Sequence, residues 1–195
     1  LAEPYLHQIH GIANVRSFNA DVDGITALRS GKVSAHFLDN LNAIIPLQQY
    51  PELDTIPTGM PSMPVAACFR KEDDYLPAQF ESFVTEFKKT PEYDDMLSRW
   101  FMGACPQAHK DVASATSGPV LRVASVMSSA PMGMVMNGVP DGFEIEMMRR
   151  FALYIGRPVE FVNMDFGGII PSLVSGKVDV AVATISLTEE RQKII

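Results

Sequence analysis

Close to the end of the chain, Thr184, Ser186, Thr188 and Arg191 set a series of hydroxyls ahead of one cation. Hydroxyls followed by a guanidinium suit a carboxylate, which the planar fork can meet with two parallel hydrogen bonds. The same residues also fit a plainer role, with Thr188-Glu-Glu-Arg191 as the capped, solvated first turn of a helix. Other reactive types are scattered. His7 and His10, three apart, could form a metal pair on a helix, but no third ligand lies nearby, and a solvated turn is the simpler reading. Met127, Met132, Met134 and Met136 gather in one loop, where thioethers could take Cu(I) or simply form an adaptable apolar lining. His36 and His109 have no evident partner. We find no nucleophile–base pair, no paired carboxylates at a fixed helical spacing and no metal set, so the reading is non-enzymatic and without a cofactor.

The elements that must position the hydroxyls and Arg191 are legible around them. Ile169, Ile170, Leu173 and Val174 make one apolar stripe of a helix, which Gly176 closes in a left-handed conformation. Val180 to Ile185 follows as a strand apolar on both faces, a pattern that belongs to a parallel sheet covered by helices. Ligands of such sheets bind beyond the carboxyl ends of the strands, where these side chains sit. Upstream, Leu121–Val126 and Val159–Val162 predict strands, with a loop or hairpin over 128–142 and a helix over Phe143–Ile155 stopped by Gly156. Asp141-Gly-Phe-Glu144 resembles a capping box for that helix. Strand–helix–strand–helix–strand implies right-handed crossovers and a parallel sheet.

In the first half, residues 21–40 repeat the unit: Ser30-Gly-Lys-Val33 matches Ser175-Gly-Lys-Val178, and each copy is expected to run from helix into strand, the first over Ser34–Leu38. Ala13 to Phe18 also fits a short strand. Asp39 is placed to cap a helix over 41–50. The Pro-rich stretch 51–75 surrounds a strand, Val65–Phe69, whose prolines suit an edge or hinge path. Phe80, Phe83, Val84 and Phe87 form an amphipathic helix, broken at Thr90-Pro91. The stripe resumes with Tyr93, Met96, Leu97, Trp100 and Phe101, and packing against a core is the expected use of these aromatics. Residues 102–119 are small and polar, a linker.

The block IPSLVSGKVDVAVATISLTEER resembles the signature region of the extracellular solute-binding proteins of family 3 that capture polar amino acids. YDDMLSRWF resembles the closing helix of such a domain, and the run from Leu121 resembles the start of its first lobe. The resemblance covers about residues 20–103 and 120–195, in the wrong order for one domain. It implies a piece spanning the junction of tandem copies: 1–103 the C-terminal half of one solute-binding domain, 104–119 a linker, and 120–195 the N-terminal half of the next. The fold class expected is α/β and periplasmic-binding-protein-like, mostly one lobe in circularly permuted order with a partial second lobe. In that arrangement the strand and helices of the first copy complete the sheet begun by the second. By position, the resemblance implies ligand contacts from Arg191, Thr184 and Ser186, with Asp39 meeting an α-ammonium and Phe166 as one aromatic wall. Ser129 stands where family members carry the other aromatic wall, so that stacking is absent or the ligand differs from a typical cationic amino acid.

The implied function is binding of an amino acid or similar small carboxylate for an ABC-type uptake system. The alternative is a sensory domain of a transmembrane receptor, such as a sensor kinase with tandem binding modules. Implied partners are the small-molecule ligand and a membrane permease or fused membrane segment of the parent protein, in a periplasmic or extracellular setting. A swapped homodimer could restore the lobe pairing. Composition agrees with a globular protein: 195 residues, 47% hydrophobic and 20% charged. A net charge of −7 without a Lys/Arg run argues against a nucleic-acid partner. No stretch reaches the 18 or so apolar residues that span a bilayer. Opening at Leu1 without Met, the chain is expected to be an excised piece, and a signal could have stood upstream. Cys68 and Cys105 allow a disulfide but do not fix the compartment.

Overall fold

A computed structural model describes residues 14–56, 64–102 and 112–195. The elements in chain order are α1 (Asp21–Arg29), α2 (Asn40–Gln49), β1 (Val65–Cys68), α3 (Tyr75–Phe87), α4 (Pro91–Phe101), β2 (Leu121–Ser125), β3 (Met134–Met136), β4 (Val139–Asp141), α5 (Phe143–Tyr154), β5 (Val159–Asn163), α6 (Phe166–Val174), β6 (Val180–Ser186) and α7 (Glu189–Gln192). His7, His10, Cys105 and His109 fall outside the described residues.

The organising sheet has the order β1-β6-β2-β5. β2 pairs parallel with β5 and with β6, as the two strand–helix crossovers through α5 and α6 require. β1 is the exception: it comes from the first half of the chain and pairs antiparallel with β6. Its edge position is where a strand flanked by prolines is tolerated, because an edge can leave N–H groups out of the ladder.

Helices cover both faces. On one, α3, α4 and α5 bury Phe83, Phe87, Met96, Trp100, Met148 and Phe151 against Leu121, Val123, Val180 and Val182. On the other, Ile169 and Leu173 of α6 pack with Ala124, Ala181 and Ile185. Alternate residues of β2 and β6 thus feed opposite cores, which is why both strands read as unbroken apolar runs. Phe80 and Phe83 meet Phe151 at ring distances of 5.1 and 5.7 Å, so the aromatic stripe serves packing between the chain halves. The halves are also joined by polar ties. Buried Glu146 accepts from Arg99 at 2.7 and 3.0 Å and from the Trp100 indole at 2.8 Å. Asp179 accepts from Arg122 and, more weakly, from Arg70.

Several local expectations need correction. Residues 35–39 are irregular, so the strand expected over Ser34–Leu38 does not form, and 14–18 are irregular as well. A strand needs a ladder partner, and among the described residues none pairs with either stretch. The repeat is therefore real only as far as its helix and left-handed glycine: Gly31 has φ 71° and Gly176 φ 74°. His36, expected inside that strand, instead lies over Gly24, where a Cβ would overlap its ring.

The capping box at α5 is also absent. Gly142 is the N-cap residue, at φ 122° and within 2.5 Å, for a would-be Cβ, of the Met132 carbonyl oxygen, so no other residue fits. The first helical N–H groups donate to backbone instead: Phe143 to Pro131 O and Glu144 to Met132 O, each at 2.9 Å. With those donors satisfied, the Glu144 side chain is not needed as a cap. Among the described residues no helix is long and apolar enough to cross a membrane.

Candidate functional site

The carboxyl end of β6 turns through Leu187 into α7, and this turn fixes Arg191. The Thr188 hydroxyl accepts from the Arg191 N–H at 3.2 Å, so Thr188 is a helix cap, as the plainer reading of the motif has it. The cap also serves the other reading, because it sets the direction of the guanidinium. Arg191 Nη1 donates to the Ser186 carbonyl oxygen at 2.9 Å, and the guanidinium carbon lies 5.4 Å from the centre of the Phe166 ring. Phe166, the first residue of α6, is 43% exposed, so the ring is a surface wall and not a core residue. Among the described residues the Arg191 guanidinium makes no further hydrogen bond, which leaves donors available for a bidentate partner.

Thr184 is the strained member of the group. Its φ is 49°, a conformation that costs an ordinary side chain about 1–3 kcal/mol. The cause lies in the pairing with β1. Ala66 faces Ile185 and Cys68 faces Ala181, so β6 takes four steps where β1 takes two. The surplus bulges out, and the Thr184 N–H leaves the ladder and donates to Glu144 Oε1 at 2.8 Å. The Thr184 hydroxyl is buried and, among the described residues, has no hydrogen-bond partner. Enclosure pushes the Glu144 carboxyl up to about 7, against the opposing effect of the Thr184 N–H.

A cleft of about 520 Å³ runs beside this turn, lined by Cys68 and Arg70 from the β1 end and by Ser186, Leu187 and Arg191. Burial pushes the Cys68 thiol up to about 11, so it is neutral and unreactive near pH 7.

The structure therefore brings Arg191, Ser186, Thr184 and Phe166 to one end of the sheet. The other two candidates lie elsewhere. Ser129 pairs with Gly133 in the loop before β3, its N–H donating to the Gly133 carbonyl at 3.0 Å. Asp39 is the N-cap residue of α2, without a side-chain cap hydrogen bond. Among the described residues neither shares a hydrogen bond, ion pair or ring contact with the β6 turn. The methionines resolve as lining: Met127 and Met132 are buried and Met134 packs on the core. Glu144 is the residue that sequence reading missed. Its place in an apparent capping box was the only local signal, and nothing local indicates a partner on β6.

Residues 121–195 match the model of the bacterial extracellular solute-binding proteins, family 3. The octopine-binding periplasmic protein of Rhizobium meliloti is 41% identical over 59 residues, covering 30% of this chain and 20% of that protein. A probable histidine-binding protein of Neisseria gonorrhoeae is 28% identical over 95 residues, covering 47% of this chain and 35% of that protein. Among solved structures, an ancestral arginine-binding protein bound to arginine is 45% identical, with 38% of this chain and 34% of that chain covered and a TM-score of 0.37. The chain spans between a fifth and about a third of the length of these curated relatives.

Proposed function

We propose that this chain captures an amino acid or similar small carboxylate, as part of the extracytoplasmic solute-binding component of an ABC-type uptake system. One observation carries the reading. In the segment that matches the solute-binding family, Arg191 is held by Ser186 O over an exposed Phe166, beside the hydroxyls at the end of β6. The guanidinium would take the carboxylate in two parallel hydrogen bonds, Ser186 would supply a further polar contact on the turn that Thr184 shapes, and Phe166 would cover the apolar part of the solute. Asp39 would meet the α-ammonium only from a complementary lobe in the parent protein. No residue is assigned a catalytic role.

The chain order supports a second part of the proposal: residues 1–103 and 120–195 derive from neighbouring solute-binding domains in a tandem parent. In its favour, β1 and helices α3 and α4, from before the linker, complete the sheet and core begun after it. Such a parent would act outside the cytoplasm and pass its solute to a membrane permease.

A thermal-shift screen against the standard amino acids tests the binding reading. A ligand specific for the folded state stabilises by roughly 2.7 kcal/mol at a hundredfold excess over its Kd. We expect at least one amino acid to raise the melting temperature of the full chain, and Arg191→Ala to abolish that rise. A cooperatively melting protein that no amino acid shifts would refute amino-acid capture by this chain.

A further inference from the structure

We propose that Glu144 is a positioning residue: by accepting the backbone N–H of Thr184, it holds the left-handed turn that presents Thr184, Ser186 and Arg191 to the ligand. The inference rests on the amino-acid reading above for the word ligand, but its geometry stands independently. Thr184 sits at φ 49° inside a strand, where the ladder to β1 has slipped and can no longer satisfy its N–H. A buried N–H without a partner would add its lost hydration to the backbone strain. Glu144 Oε1, at 2.8 Å, is the acceptor that removes this cost. It reaches across from the first turn of α5, whose own N–H groups are already met by Pro131 and Met132 carbonyls. The carboxylate is therefore committed to another element.

The position also makes the turn sensitive to protons. The carboxyl is raised to about 7 by enclosure, so it changes charge near neutrality, and its ionised form is the stronger acceptor. The groups around it do not titrate in that range. Cys68 on β1, which feels both Arg191 and Glu144, stays a neutral thiol with its value near 11. Glu146, two residues along α5, is held below the ordinary carboxylate range: burial raises it, but hydrogen bonds from Arg99, Arg150 and Trp100 outweigh that.

The test is a pH titration of amide resonances in the full chain, wild type against Glu144→Gln and Glu144→Leu. We expect the Thr184 amide to move with a midpoint near 7 in wild type and to lose that titration in Glu144→Gln, which keeps an acceptor oxygen. In Glu144→Leu, Cα and Cβ shifts should show Thr184 leaving the left-handed region. Binding of L-arginine, as a representative amino acid, should weaken about tenfold in Glu144→Leu and stay within about threefold in Glu144→Gln, tenfold being about 1.4 kcal/mol. A Thr184 amide that ignores pH, or that titrates unchanged in Glu144→Gln, overturns the proposal even if Glu144→Leu does not fold. The resonance readout needs no ligand, so failure of wild type to bind any amino acid would count against capture while leaving the role of Glu144 separately decided.

Discussion

Thr184 shows how a single residue can oppose stability at a position here proposed to serve recognition. Its left-handed backbone and a buried hydroxyl that no described residue partners both cost free energy, and glycine would remove both. Thr184→Gly is therefore expected to stabilise the chain by about 1 kcal/mol, since glycine adopts this conformation without the Cβ penalty. The denaturant midpoint should rise while ligand affinity falls; a destabilised Thr184→Gly would show that the methyl packing outweighs the strain. Glu144 makes a pH prediction at the same scale. Its carboxyl is raised from an ordinary 4.5 to about 7, so between those values the native state binds more protons than the unfolded chain. Stability then falls as pH rises through that window. Urea midpoints at pH 5 and 8 should differ more in wild type than in Glu144→Gln, and equal differences would contradict the assignment.

At the level of elements, α4 and α5 are locked by a buried carboxylate. Glu146 has no exposed surface and receives Arg99, Arg150 and the Trp100 indole. Leaving two guanidinium groups and an indole N–H without their acceptor should be costly, because removing one partner of a buried ion pair typically destabilises by about 3–5 kcal/mol. Glu146→Ala is expected to lower the unfolding free energy by about that amount. Its contribution has the opposite pH sense to that of Glu144. The native value is depressed below 4.5, so the stabilisation is present above that pH and is lost as pH falls through the native value. Acid unfolding of wild type should accordingly be steeper than that of Glu146→Gln.

At the scale of the whole molecule, the sheet and its core draw on both halves of the chain. Without β1, β6 would present a bare edge, and without α3 and α4, the apolar faces of β2, β6 and α5 would face water. We expect a polypeptide of residues 112–195 to lack cooperative unfolding and to bind a hydrophobic dye. Adding a peptide of residues 64–102 should restore both a sharp transition and dye exclusion. An isolated 112–195 that melts cooperatively would show that the parallel strands are self-sufficient.

What the sequence alone determined is what depends on neighbours along the chain. The apolar stripes of α3 to α6, the runs of β2 and β6, the glycine stops and the edge character of β1 were all readable, because helix and strand periodicity are local properties. So was the candidate cluster of Thr184, Ser186 and Arg191, since one turn after one strand holds it. Three things were not readable. Ser34–Leu38 has the composition of a strand, but a strand exists only by pairing, and among the described residues no partner meets it. Asp141 and Glu144 have the spacing of a capping box, but the Pro131 and Met132 carbonyls of the preceding loop took the helix donors and freed Glu144 for Thr184. The left-handed Thr184 arises from slippage between β1 and β6, strands more than a hundred residues apart. Tertiary structure decided these because hydrogen-bond partners compete across the whole fold, and local pattern states only which groups need one.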